Sequence, residues 1–321
     1  MAEQTIERVA TPPPPVPTGP RRKQHPYGER PGIAYLFLSP WILGALLLTV
    51  GPMLASLYLA FTDYDLFTAP NWIGWDNFHR LFTEDPRYLQ AVWVTLKYVL
   101  ISTPLKLGLA LGVALLLNRA SRAQGFYRSA FYAPSLLGAS VAVALVWRVI
   151  FETDGPLDRG LALIGIDGAT GWTTHPDYSI YVLVLLTVWQ FGAPMVIFLA
   201  GLKQIPPELY DASAVDGAGR WRTFISVTVP MLSPVILFNL VLETIHAFQS
   251  FTAAFVVSGG RGGPSDSTLL YTLYLYQKGF AEWRMGYASA MAWLLVLVIG
   301  LVTVIIFRSA RLWVFYSGED R

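Results

Sequence analysis

The 321-residue sequence contains no cysteine. Disulfide staples, thiolate metal sites and a cysteine nucleophile are thereby excluded, and the redox compartment is left open. Charge is scarce as well: Asp, Glu, Lys and Arg make up 14% of the chain, against about 25% in soluble globular proteins. The net charge of +2 is too small for a nucleic-acid footprint, and the basic residues do not interleave with aromatics, so no nucleic-acid partner is expected. A G-x-x-x-x-G-K-S/T phosphate loop is missing. The glycine-rich run Gly259–Gly263 lacks the lysine, so the chain itself is not expected to bind or hydrolyse ATP. H-E-x-x-H, G-x-S-x-G and acidic metal loops are missing too, and no catalytic residue, metal site or bound cofactor is expected.

What is present is apolar sequence, 54% of the chain, gathered into runs that a water-soluble domain of this size has no room to bury. Six runs reach spanning length: Ile33–Phe61, Ala91–Asn118, Ala130–Phe151, Tyr178–Leu202, Val227–Val257 and Tyr287–Phe307. The fifth is long enough to tilt, or to begin as a separate turn before Pro230 and Pro234. The first is too long for the apolar core of a cleaved leader. Before it, residues 1–32 read as a disordered cytoplasmic tail, rich in proline over Thr11–Pro17. The expected class is all-α, a polytopic integral membrane protein. Its membrane domain spans 33–310 and a cytoplasmic C-terminal tail 311–321.

Orientation follows from Lys and Arg in the flanks. Arg8, Arg21, Arg22, Lys23 and Arg30 precede the first run. Arg119, Arg122 and Arg128 fill the second loop, Lys203, Arg220 and Arg222 the fourth, and Arg308, Arg311 and Arg321 the end. The other side holds Arg80 and Arg87, then Arg159, then Arg261, Lys278 and Arg284. Both termini are therefore expected in the cytoplasm of a multi-pass cell-membrane protein. Trp72, Trp75, Trp172 and Trp283 fall in the outer loops, as interfacial anchors do.

The fourth loop, 205–230, carries the most information. Pro206 and Pro207 with Glu208 and Asp211 are helix-start chemistry. Small residues Ala212, Ser213 and Ala214 allow a close approach, and Gly217 and Gly219 allow a sharp turn before a second helix near Trp221. The result is a knob-like cytoplasmic helix suited either to docking in a groove on a soluble partner or to lying on lipid and its own chain. In the fifth run, Asn239, Glu243, His246 and Ser250 recur at helical spacing, with Gln249 adjacent. Such a stripe faces a cavity or hydrogen-bonds to a partner helix. Trp189 and Gln190 can add a stacking ring and an amide. Lys97, Lys106 and Arg148 are further ionisable residues in spanning runs, Arg148 near enough to an end to act as an interface anchor.

The fourth loop resembles the EAA loop of binding-protein-dependent ABC importer permeases. Asp211-Ala212-Ser213 stands at the EAA triplet, Gly217 within Asp216-Gly217-Ala218 at the motif glycine, and Val227-Thr228-Val229-Pro230 at the closing I-x-L-P. Asp for Glu, Ser for Ala and Val for Ile and Leu are the departures. Fragments in the same order over about residues 33–310 are similar to the maltose and glycerol-3-phosphate type, MalF-like partner: Leu38-Ser39-Pro40, Gly74-Trp75-Asp76-Asn77-Phe78, Gly125-Phe126-Tyr127-Arg128 and Gly286-Tyr287-Ala288. The large outer domain of that partner is missing. The resemblance implies a MetI-like permease fold and half of a translocation pathway for a sugar or related solute. It also implies a second permease subunit, two ATPase subunits that hold ATP-Mg, and an extracytoplasmic solute-binding protein. Glu208, Asp211, Ala212, Ser213, Asp216, Gly217 and Ala218 would couple the chain to the ATPase. Asn239, Glu243, His246, Gln249, Ser250, Trp189 and Gln190 would border the solute pathway. The competing expectation is an ion-coupled secondary transporter with Glu243 and His246 as a proton relay, for which no internal repeat is evident.

Overall fold

The computed structural model describes residues 31–118, 123–138, 140–165 and 171–315. The expected proline-rich tail lies almost wholly outside the described residues, as does the end of the C-terminal tail. Regular structure among the described residues is helical apart from one isolated bridge, Thr62 to Trp72. The described residues fall into two units that divide between Leu54 and Ala55.

Helix α1 (Pro31–Ala45) passes through a π-helical turn, Leu46–Val50, into α2 (Gly51–Leu59). Its apolar stretch Tyr35–Leu59 is 25 residues, long enough to cross a bilayer. The π turn has a local cause. Pro52 has no N–H for the carbonyl four residues back, and the wider turn, in which the Gly51 N–H reaches the Leu46 carbonyl, absorbs the mismatch. A second π turn, Phe224–Thr228, precedes Pro230 in the same way.

Prolines inside helices are handled differently. Pro40 leaves the Leu36 carbonyl without its helical donor, and the Ser39 hydroxyl donates to that carbonyl at 2.7 Å. Pro234 deprives the Pro230 carbonyl, and the Ser233 hydroxyl donates to it at 2.6 Å. Bilayer interiors offer no water for this repair, so a neighbouring hydroxyl is the available donor. Pro104 breaks the rule: the Thr103 hydroxyl before it is buried and has no hydrogen-bond partner.

In the second unit α3 (Asp76–Thr83) lies on the loop after the first span. Buried Asn77 donates from Nδ2 to the carbonyls of Ala60 and Thr62, at 2.9 and 2.8 Å, and so satisfies the end of that span. The second span is α4 (Pro86–Leu117). It begins a turn earlier than the apolar pattern suggests, because Asp85 caps it through the Tyr88 N–H and Pro86 sits in its first turn. The expected third span is a broken pair, α5 (Gln124–Leu137) and α6 (Val141–Ile150), bent by 96°. Helix α7 (Pro156–Ala162) follows outside it. The fourth is α8 (Ser179–Trp189) and α9 (Gly192–Leu202), bent by 44° at Gln190 and Phe191.

Next come the loop helices α10 (Pro207–Val215) and α11 (Arg220–Thr223), then α12 (Val229–Phe248) and α13 (Thr252–Val257). With its π turn this fifth span is one 38-residue stretch, Arg220–Val257, seven residues longer at its start than the apolar run. Helix α14 (Tyr271–Tyr276) leads to α15 (Met285–Trp313), the last span. Among the described residues four helices are long and apolar enough to cross a membrane, or up to six when each bent pair counts as one span. The main core packs Tyr98, Leu183, Leu273, Tyr274 and Met291, and a second cluster joins α4, α9 and α12 through Leu107, Ala110, Met195, Phe198 and Leu232.

Candidate functional site

A cavity of about 260 Å³ opens among α4, α8, α12 and the bend of the α5–α6 pair. From α4 it takes Tyr98, Ser102, Thr103 and Lys106, which fall on one face at helical spacing. From α8 it takes Thr187 and Gln190, and from α12 Glu243 and His246, with Ser250 just beyond. Two polar helix faces thus look at each other inside an apolar protein.

The contacts across it are specific. Lys106 Nζ donates to Glu243 Oε2 at 2.6 Å, with both side chains about nine-tenths buried. A buried charge persists only with a partner of this kind. The Tyr98 hydroxyl lies 2.6 Å from Thr187 Oγ1 and donates to Ser250 Oγ at 3.3 Å. Gln190 Nε2 donates to the carbonyls of Gly138 and Leu186, each at 3.2 Å. Its side chain occupies the space where a Cβ on Gly138 would sit, so glycine at 138 is what lets the two bends meet. Ser135 Oγ adds a bond to the Gln190 carbonyl at 2.9 Å and accepts from the Ala193 N–H at 3.0 Å.

Of the expected pathway residues, Glu243, His246, Ser250 and Gln190 border this cavity. Asn239, Gln249 and Trp189 do not. Asn239 is buried one turn before Glu243 in α12 and its Nδ2 has no partner. Gln249 is exposed at the end of α12. Trp189 packs on Trp147 with ring centroids 5.7 Å apart, which holds its ring in an apolar cluster. The α4 wall was the harder part to anticipate. Tyr98, Ser102 and Lys106 recur every fourth residue, but the run around them is so apolar that only the lysine stands out.

The fourth loop is a separate feature. Helix α10 exposes Glu208, Leu209, Asp211, Ala212 and, at 88%, Val215, and Asp216 just after it is exposed too. Gly217 ends it at φ +70°, with its N–H on the Ala214 carbonyl and the Ala218 N–H on the Ser213 carbonyl at 2.9 Å. That is the left-handed helix stop that glycine favours. A Cβ there meets open space, so the requirement is the backbone angle and not crowding. Ser213 Oγ lies 3.2 Å from Thr223 Oγ1, and the Tyr210 hydroxyl 3.3 Å from Thr228 Oγ1. These bonds fasten α10 to the root of the fifth span.

At the other end, Asp85 Oδ2 accepts the hydroxyls of Tyr274 and Tyr287, each at 2.6 Å. Arg87 makes a two-pronged pair with Asp266 at 2.9 and 2.7 Å. Lys278 pairs with Glu282 at 2.9 Å. Burial pushes the Asp85 carboxyl up, but the two hydroxyls, the Tyr88 N–H and nearby Lys278 outweigh it and hold it below its ordinary value. Burial and the Asp85 carboxylate both push the Tyr274 hydroxyl up. The cations that weaken the charge asymmetry of the sequence, Arg87 and Lys278, are thus neutralised locally.

Comparison with known proteins bears on the family and the fold. The profile of a family described as "Binding-protein-dependent transport system inner membrane component" matches residues 106–313. The chain is 51% identical over 286 residues to the probable ABC transporter permease protein YesP of Bacillus subtilis, covering 89% of this chain and 93% of the relative. It is 31% identical over 285 residues to the lactose transport system permease protein LacF of Rhizobium radiobacter, covering 86% and 93%. Among solved structures, a chain of a bacterial ABC transporter that imports the acidic polysaccharide alginate superposes with a TM-score of 0.73 at 23% identity, over 88% of this chain and 96% of that one.

Proposed function

Because the chain belongs to the family of binding-protein-dependent transport inner-membrane components, and is a multi-pass permease subunit of an ABC importer, we propose that its solute is a sugar or short oligosaccharide and that the cavity between α4, α8 and α12 borders the solute's path. The relatives' names support the solute class: besides lactose, they include arabinooligosaccharide and starch-product transport permeases. The observation that carries the pathway is the pair of facing polar helix faces, where Gln190, His246 and Ser250 offer hydrogen-bonding groups to hydroxyls.

In this reading a second permease completes the pathway, two ATPases bind ATP-Mg, and a receptor delivers solute from outside. Helix α10, with Glu208, Asp211, Ala212, Ser213, Asp216, Gly217 and Ala218, docks on the ATPase. Support for that is its exposed small and acidic face and its fastening to α11 and to the π turn before α12. Closure of the ATPases moves α10, and the pathway opens outward beneath the receptor. Both termini lie in the cytoplasm. The ion-coupled alternative loses its ground with the family assignment, and Glu243 is engaged by Lys106.

The test is uptake in proteoliposomes holding the full complex. Uptake should persist with an uncoupler present when ATP is on the ATPase side. Uptake driven by a pH gradient without ATP would reject the reading.

A further inference from the structure

The Lys106–Glu243 pair joins two elements that differ in how they are held. Glu243 sits on the 38-residue stretch that starts at Arg220, directly after the exposed loop. From Arg220 to Glu243 is about 35 Å at helical rise. Ser233 repairs the break at Pro234, so the helix is continuous from Val229 to Glu243, and the π turn Phe224–Thr228 joins it to the loop. Lys106 sits on α4 just two residues after Pro104, at the turn where the preceding Thr103 hydroxyl makes no such repair. The repaired helix α12 therefore makes its ionic contact with α4 at the weakened turn of α4.

We propose that the Lys106–Glu243 pair is a tie: it stays closed through the transport cycle and makes the α4 wall of the cavity follow α12. Displacement of the loop at α10 then moves the cavity wall without any direct contact between them. An apolar contact in a bilayer allows helices to slide, because lipid is as apolar as a side chain. Pulling this pair apart instead leaves two bare charges in a low dielectric, so the two helices keep register. Both residues act as positioning residues, and neither has to touch solute. The inference rests on the importer reading above.

The test uses the full complex with receptor and ATPases in proteoliposomes. The apolar double variant Lys106→Met with Glu243→Met removes the tie without stranding a charge. It should assemble and hydrolyse ATP in response to receptor, but lose solute uptake. The exchanged pair Lys106→Glu with Glu243→Lys should recover uptake. Because the chain has no native cysteine, Lys106→Cys with Glu243→Cys can be joined by a short thiol-to-thiol cross-linker. Uptake should be lost in the free thiol form and regained when the two are joined. Wild-type uptake by the apolar double would reduce the pair to packing. Loss of uptake on joining the two cysteines would show that the pair has to open, which overturns the tie. If the apolar double fails to assemble, the cross-linked pair decides alone. Wild-type protein is the control: uptake that ignores ATP would sink the importer reading instead of this one.

Discussion

Asp85 caps α4 and at the same time accepts two tyrosine hydroxyls from the last part of the chain. Its carboxyl is held below the ordinary value of 3.8, so folding favours the ionised form. The stabilisation is complete above the unfolded-state value and is lost as pH falls through the lower folded value. The midpoint of thermal unfolding of the purified protein should therefore drop as pH falls through and below the ordinary value of 3.8. Asp85→Asn should flatten that dependence; an unchanged slope would show that other carboxylates dominate. Lys106 obeys a different rule. Lys106→Met alone leaves Glu243 buried and unpaired, at a cost of about 3–5 kcal/mol. It should lower the melting midpoint more than the apolar double variant does, and equal midpoints would argue that Glu243 finds water. Neither partnership was legible in the sequence. Asp85 reads as one more loop acid, and the depth of Lys106 in its run is fixed only once α4 starts at Pro86.

At the scale of elements the sequence was most legible where periodicity and stop signals coincide. The loop helix, its left-handed end at Gly217 and the turn before Pro230 follow from residue chemistry that acts locally. The breaks in the third and fourth spans follow only in part: Pro134, Gly138 and the capping Ser140 interrupt the third run, but the hydrogen bond from Gln190 to the Gly138 carbonyl spans some 50 residues of sequence and no local pattern shows it. For the loop helix the expected outcome is a separation of assembly from coupling. Gly217→Pro or Asp211→Lys should insert normally and still bind receptor, but lose ATPase co-purification or receptor-stimulated ATP hydrolysis. A milder Gly217→Ala should cost about 1–2 kcal/mol locally through its left-handed angle. Wild-type co-purification and hydrolysis in the first two variants would remove the basis for calling α10 a docking element. His246→Ala should impair uptake with the complex intact, and normal uptake would leave the α12 face as packing.

For the whole molecule the orientation is open to direct test, since single cysteines are introduced into a cysteine-free chain. Thr174 and Asp177 are exposed in the third loop and Gln204 in the fourth. Ser179 is a poor choice, being buried against Ser267 with the two hydroxyls 2.6 Å apart. In intact cells Thr174→Cys should react with an impermeant thiol reagent and Gln204→Cys should not; the reverse pattern would invert the topology. The serines beside Pro40 and Pro234 carry a consequence for how the chain enters the bilayer at all. On a side-chain scale Ser39→Ala makes the first span greasier, and a hydropathy sum forecasts easier insertion. The hydroxyl, however, is the donor that clothes the Leu36 carbonyl. Left bare in hydrocarbon, that carbonyl costs several kcal/mol, on the order of the gain from several leucines. The translocon should accordingly release Ser39→Ala into lipid less readily than the native span, so that a more apolar letter yields a less membrane-compatible helix.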